Sequence, residues 1–164
     1  MKSQELYTPL LQAMSSAERI AQALWADATA SGQHGLAAFF DWEAQERHYM
    51  ARQVANHMAE HGIRVIVSAL PAPQAEFKNP SEAVLALHEH DKQICAAVQA
   101  LYKASVGDGL RVFFMAGLVK GTKEQAEEVE GVHAMVANSP GDQLMAVNAA
   151  LLDKYGVPYC PCGD

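Results

Sequence analysis

The segment 39–62, FFDWEAQERHYMARQVANHMAEHG, carries most of the residues that could do chemistry. Read as a helix, it places Phe40, Arg47, Val54 and His61 on one heptad position and Glu43, Met50 and His57 three residues further on. A guanidinium and a carboxylate on the inward seam of a helix must be paired or bound to something. Two other stripes offer partners. Asp91 stands in the middle of Leu87, Asp91, Ile94, Val98 and Leu101. Gln125 and Glu128 stand within Leu110, Phe114, Gly117, Gly121, Gln125, Glu128, Val132 and Met135. All of these are expected to face one interior.

Other groups have metal-ligand spacing but plainer explanations. Glu130-x-x-His133 is an i, i+3 pair, and His133 could ligate. Its position beyond the inner stripe favours a solvated pair. His57 and His61 share a face at i, i+4 and could hold a transition metal. Near a helix end they also favour the dipole simply by position. His88 and His90 point to different sides. Cys160 and Cys162 form a Cys-Pro-Cys pair, two thiols that make an incomplete site in one chain.

The elements that must position these groups are helical. Of the 164 residues, 50% are hydrophobic and only 7% aromatic, a composition favouring helices over sheets in one domain. The formal charge of −7 comes without a basic stripe, so nucleic acid is not an expected partner, while cations are attracted. There is neither an apolar run of about 18 residues nor a leader with a basic start and apolar middle, so the expectation is a cytoplasmic protein without membrane contact. An odd count of three cysteines argues against a disulfide framework.

Thr8 and Pro9 are placed to open a first helix that ends near Ser31, with Gly32 in a left-handed terminating conformation. Leu10, Met14, Ala17, Ala21, Leu24 and Ala28 give it an apolar stripe, with Glu18 one turn after Met14. A short turn makes the second helix antiparallel to the first; it stops at Gly62. Pro71 and Pro73 exclude a continuous helix from IRVIVSALPAPQAEFKNP, which reads as a long crossing segment. Asn79-Pro80-Ser81-Glu82 caps a third helix running to about Ser105, roughly parallel to the second. A Gly107-Asp108-Gly109 turn leads to a fourth, ending near Ala137. Ser139-Pro140-Gly141-Asp142 caps a short fifth helix ending at Gly156. The expected fold is an all-α four-helix bundle with one long crossover and a short fifth helix, over residues 1–156. Residues 157–164 read as a loose tail.

These segments carry a resemblance. FFDWEAQERHYMA resembles the second-helix motif of non-haem bacterial ferritins, a phenylalanine pair leading into Q-A-x-E-E-x-x-H-A. RVIVSALPAPQAEFKNPSEAV is similar to their crossover, LALHEHDKQICAAVQAL to their third helix, EQAEEVE to the fourth-helix EQ-x-EE run, and SPGDQLMAVNAALL to their fifth helix. The resemblance covers nearly the whole chain, in order. It implies a ferritin-like fold, a 24-subunit homo-oligomeric shell, and Fe2+ oxidised to a stored Fe3+ mineral at a di-iron ferroxidase centre inside each bundle. Hard iron ions want carboxylate oxygens with some imidazole.

Residue by residue, the resemblance departs at that centre. The family's first-helix glutamate falls on Met14, the E-x-x-H glutamate on Arg47 and its histidine on Met50. The third-helix glutamate falls on Asp91. The fourth-helix glutamine and glutamate fall on Gln125 and Glu128. Glu46 matches the acid just before the E-x-x-H pair; Glu124 and Glu127 match acids that some members use for a third iron. Two facing carboxylates repel in a dry interior unless a cation lies between them. Arg47 can supply that charge. The expectation is an ion pair of Arg47, Asp91 and Glu128 in place of the di-iron centre, as in light-chain ferritins, where a basic residue occupies the site and activity is lost. A competing expectation keeps one iron at the bundle edge on Glu46, Glu124, Glu127 and Glu128, with Glu43 or Asp91 assisting, as a rewired mononuclear oxidase. A third makes the chain a structural subunit co-assembling with an active ferritin. His48 is expected to look outward, near where haem-binding relatives place an axial methionine.

Overall fold

The computed structural model describes residues 3–66, 69–73, 76–106, 109–139 and 141–159. Five helices follow in order: α1 (Ser3–Ala30), α2 (His34–Glu60), α3 (Pro80–Ala104), α4 (Gly109–Ala137) and α5 (Asp142–Tyr155), with no strand among the described residues. Their directions follow from what packs together. One apolar lobe joins Leu24 and Ala28 of α1 to Leu36 and Phe40 of α2, Val84 and Leu87 of α3, and Val132 and Val136 of α4. The other joins Tyr7 and Leu10 to Val54 and Met58, Val98 and Leu101, and Met115 and Leu118. Hence α2 and α3 run parallel, and α1 and α4 run against them. A short link cannot join α2 to a parallel α3, which is why the crossover is long.

α1 begins at Ser3, earlier than Thr8, and Pro9 lies inside it. Burial explains the extra turn: Tyr7 and Leu10 are almost fully enclosed, and helical geometry carries both onto the bundle. Gly32 ends α1 at φ 69°, in the left-handed region expected of it. Asn79 caps α3 by accepting from the Glu82 N–H at 2.9 Å, and the Glu82 carboxylate accepts from the Lys78 N–H at 3.2 Å. α5 has no side-chain cap; Gly141, at φ 57°, is its N-cap.

The stripe expected along α4 holds at Gln125 and Val132 and is displaced by one residue at its other described positions. Met115, Leu118, Thr122, Gln125, Val129, Val132 and Val136 are buried, whereas Gly117 and Met135 are exposed and Phe114 and Glu128 only half-buried. Gly117 and Gly121 have no side chain to bury. Turning Met115, Leu118, Val129 and Val136 inward instead gains roughly 1.5–3 kcal/mol for each large apolar side chain enclosed. The same rotation carries Glu128 away from the bundle axis.

α5 is held against the start of α2. Asn148 Oδ1 accepts from the N–H groups of Gly35 and Leu36 at 2.8 and 3.0 Å, satisfying two donors that the first turn of α2 leaves unpaired. Tyr155 packs edge-on against Phe39 and Trp42. Tyr159, at the start of the segment read as a tail, lies edge-on to Trp42 at 4.9 Å. Cys160 and Cys162 lie outside the described residues. A Cβ on Gly35 would run into the backbone carbonyl of Asn148, which cannot swing aside. Gly35→Ala is therefore expected to destabilise the protein by about 1–3 kcal/mol and to strip hydrogen-exchange protection from α5 first; unchanged protection there would contradict this account of the docking.

Candidate functional site

Between the two apolar lobes the bundle has a polar waist. Arg47 crosses it with 0% of its surface exposed. Its Nη2 donates to both Asp91 oxygens, at 2.7 and 2.8 Å. Its Nη1 donates to the Glu43 carboxylate and, at 2.9 Å, to the Glu43 backbone carbonyl. Glu43 is likewise fully buried, and Asp91 is 2% exposed. The Gln125 amide reaches the carboxylates of Glu43 and Glu46, each at 3.4 Å. Arg47 Nε and Glu43 Oε1 are buried and have no hydrogen-bond partner among the described residues.

The ion pair differs from the expected one in its third member. Glu128 does not meet Arg47. Its Oε1 accepts from Lys154 Nζ at 2.8 Å and from the Tyr155 hydroxyl at 2.7 Å. The one-residue rotation of α4 turns Glu128 toward α5, and Glu43, one turn before Arg47 on α2, fills the place. The i, i+4 spacing of Glu43 and Arg47 was the signal for this contact. Nothing local in the sequence announces Lys154 and Tyr155, which reach Glu128 from a different helix.

The outer acidic cluster also assembles differently. Glu124 and Glu127 are exposed and lie 3.6 and 3.4 Å from Lys120 and Lys123, each one turn earlier on the solvent face of α4. Glu46 and Glu128 do come together, with Glu43 as the third member: one carboxylate oxygen from each lies within 4.8 Å of the others. Glu130 is exposed, and His133 Nε2 lies 3.2 Å from Ser81 Oγ. Met14 and Met50 are buried in the lobe below the waist. His48 is exposed, with Nδ1 3.2 Å from Glu18.

Burial sets the charges. It pushes the Glu43 carboxyl up to about 8, opposed by the charge of Arg47 beside it. Burial also raises Glu46, with the charge of Glu128 adding to it. Asp91 is raised by burial and drawn back by Arg47. Burial disfavours the charge on Arg47 too, but Glu43 and Asp91 together hold its value above the ordinary one. Tyr155 is raised by burial and by its bond to Glu128. Three oxygen donors suit a hard cation such as iron. The donors here are partly occupied, because Arg47 and Gln125 already use Glu43.

A four-helix bundle with one long crossover defines the class of ferritin-like folds. A model of the ferritin-like domain matches residues 12–137. The chain belongs to the ferritin-like family. A probable bacterial non-heme ferritin-like protein of Haemophilus influenzae is 29% identical over 91 residues, 56% of this chain and 54% of that protein, so the match spans about half the relative's length. A humanized archaeal ferritin superposes with TM-score 0.89 at 15% identity, over 98% of each chain. An open-pore ferritin of Archaeoglobus fulgidus superposes with TM-score 0.85 at 17% identity, over 92% of this chain and 96% of that one.

Two outcomes test the waist. Glu43 in the fold takes up protons that the unfolded chain releases near its ordinary 4.5, so its contribution to stability is complete at acid pH and lost as pH rises through about 8. The unfolding free energy of metal-free protein from urea melts should fall between about pH 5 and pH 8, by at most about 1.4 kcal/mol per pH unit from this group, and Glu43→Gln should flatten the slope. Arg47→Met leaves Asp91 buried without its cation and should cost about 3–5 kcal/mol. Adding Asp91→Asn should recover part of that loss; strict additivity of the two changes would show that the pair is uncoupled.

Proposed function

We propose that the chain is a cytoplasmic iron-storage shell subunit in which Arg47, with Glu43 and Asp91, stands in place of a di-iron oxidation centre. The observation that carries this is the enclosure of the guanidinium: a fully buried Arg47 bonded to two carboxylates from different helices. By the family resemblance, Arg47 and Met50 occupy the E-x-x-H ligand positions and Met14 the first-helix glutamate position. An incoming Fe2+ would have to evict a tethered cation and leave it unpaired in a dry interior, which is strongly unfavourable. Iron on this reading is cargo, and the carboxylates of an assembled shell serve mineral growth without fast oxidation. Support for self-association comes from large apolar side chains left in the open: Phe113 is 82% exposed, Met145 75% and Leu152 46%. The proposed assembly is a 24-subunit homo-oligomer, or a mixed shell with a catalytically competent ferritin chain. No helix among the described residues is long and apolar enough to cross a membrane.

A second reading is favoured by one specific feature. Glu43, Glu46 and Glu128 converge, and Glu43 Oε1 has no hydrogen-bond partner there. This trio would hold one iron at the edge of the waist, reviving a mononuclear oxidase. Stopped-flow absorbance after oxygen meets protein preloaded with Fe2+ anaerobically separates the two. The storage reading expects slow oxidation without a fast phase consuming a pair of irons per chain; such a phase would overturn it. Anomalous density among the trio in Fe2+-soaked crystals, with single-iron turnover lost in Glu46→Gln, would establish the second.

A further inference from the structure

The end of the bundle remote from α5 carries a different donor set. His57 and Glu60 in the last turn of α2 and His61, its C-cap, stand at i, i+3 and i+4, and one ligating atom from each lies within 4.8 Å of the others. His57 is the fixed member. It is 5% exposed, and its ring lies flat on Phe114 of α4, with centroids 4.0 Å apart and planes 5° apart. Tyr7 of α1 packs against it at 5.9 Å. Glu60 and His61 are exposed, and the His61 ring lies 4.2 Å from that of His57, centroid to centroid.

His61 is oriented as well as near. Its Nδ1 lies 2.8 Å from the backbone carbonyl oxygen of His57. A carbonyl oxygen only accepts, so Nδ1 carries the proton and Nε2 the lone pair. Anchoring one ring nitrogen on a carbonyl is how metal-ligating imidazoles are held in the correct tautomer. The position adds to this, because the C-terminal end of a helix carries partial negative charge that favours a cation. Metal–ligand bonds of about 2.0–2.2 Å place donors about 3.4 Å apart in a tetrahedron. The donors of the three residues, within 4.8 Å of one another, already lie near that spacing.

We propose that His57, Glu60 and His61 form a binding site for a borderline divalent transition metal, of which Zn2+ is the probe. Two imidazoles and one carboxylate select such ions over Mg2+ and Ca2+, which prefer all-oxygen shells. Three protein ligands leave one position open to water or to a small anionic ligand. The site is separate from the waist and independent of any iron chemistry there.

The test uses the metal-stripped full-length chain carrying C160S and C162S, so that tail thiols cannot supply the binding. Isothermal titration with Zn2+ should give one ion per chain, and Co2+ should give the visible absorption of a tetrahedral nitrogen–oxygen site. His61→Ala and Glu60→Gln, both at exposed positions, should each weaken Zn2+ binding at least tenfold while leaving the far-ultraviolet circular dichroism unchanged. His57→Phe keeps a ring stacked on Phe114 and should abolish the Co2+ signature. Zn2+ should raise the thermal midpoint of the parent protein and leave that of His61→Ala unmoved. Failure of Zn2+ to bind stoichiometrically, or binding of equal affinity in the parent and His61→Ala, would overturn the assignment.

Discussion

A buried guanidinium is the constraint around which this bundle is arranged. Removing Arg47 from water is costly, and the cost is met only because Asp91 and Glu43 are already placed to receive it. The requirement runs through three helices of the bundle. α2 must present Glu43 and Arg47 on one face, α3 must bring Asp91 to mid-height, and α4 must offer Gln125. The apolar lobes above and below fix those heights. A cation built into the chain differs from a bound ion in one respect: it does not dissociate, so the waist is neutralised to the same degree at any concentration of metal.

Much of this was legible in the sequence. Every residue named for the stripes of α1 and α3 is buried, because both held apolar side chains at helical spacing, interrupted in α3 by the single polar Asp91. Asp91 was placed with Arg47 for that reason. α4 was read correctly at Gln125 and Val132 and elsewhere misread by one position, because glycine and alanine leave its apolar period weak; Gly117 and Gly121 look inward-compatible while contributing nothing to burial. That single displacement explains why Glu128 was assigned to the ion pair and is found with Lys154 and Tyr155. The start of α1 was set too late because Pro9 reads as a first-turn residue, whereas enclosure of Tyr7 and Leu10 outweighs the hydrogen bond that proline removes.

The candidate site was legible in kind more than in membership. The resemblance of successive motifs, in order, pointed to the family, and matching residue by residue placed the expected departures at Met14, Arg47 and Met50. Which acids converge depends on side-chain reach across helices. Glu46 and Glu128 come together through the rotation of α4, while Glu124 and Glu127 are drawn off by lysines one turn away. The neighbouring histidines of α2 were visible as a pair, but their third member and the stacking of His57 on Phe114 are tertiary facts.

The bond between Glu128 and α5 has a wider consequence. Lys154 and Tyr155 sit on the same short helix whose outer side leaves Met145 and Leu152 uncovered. α5 is thus apolar along its outer side and polar where it meets α4. Through Glu128, which shares an acidic trio with Glu43 and Glu46, two hydrogen bonds join this short helix to the edge of the polar waist.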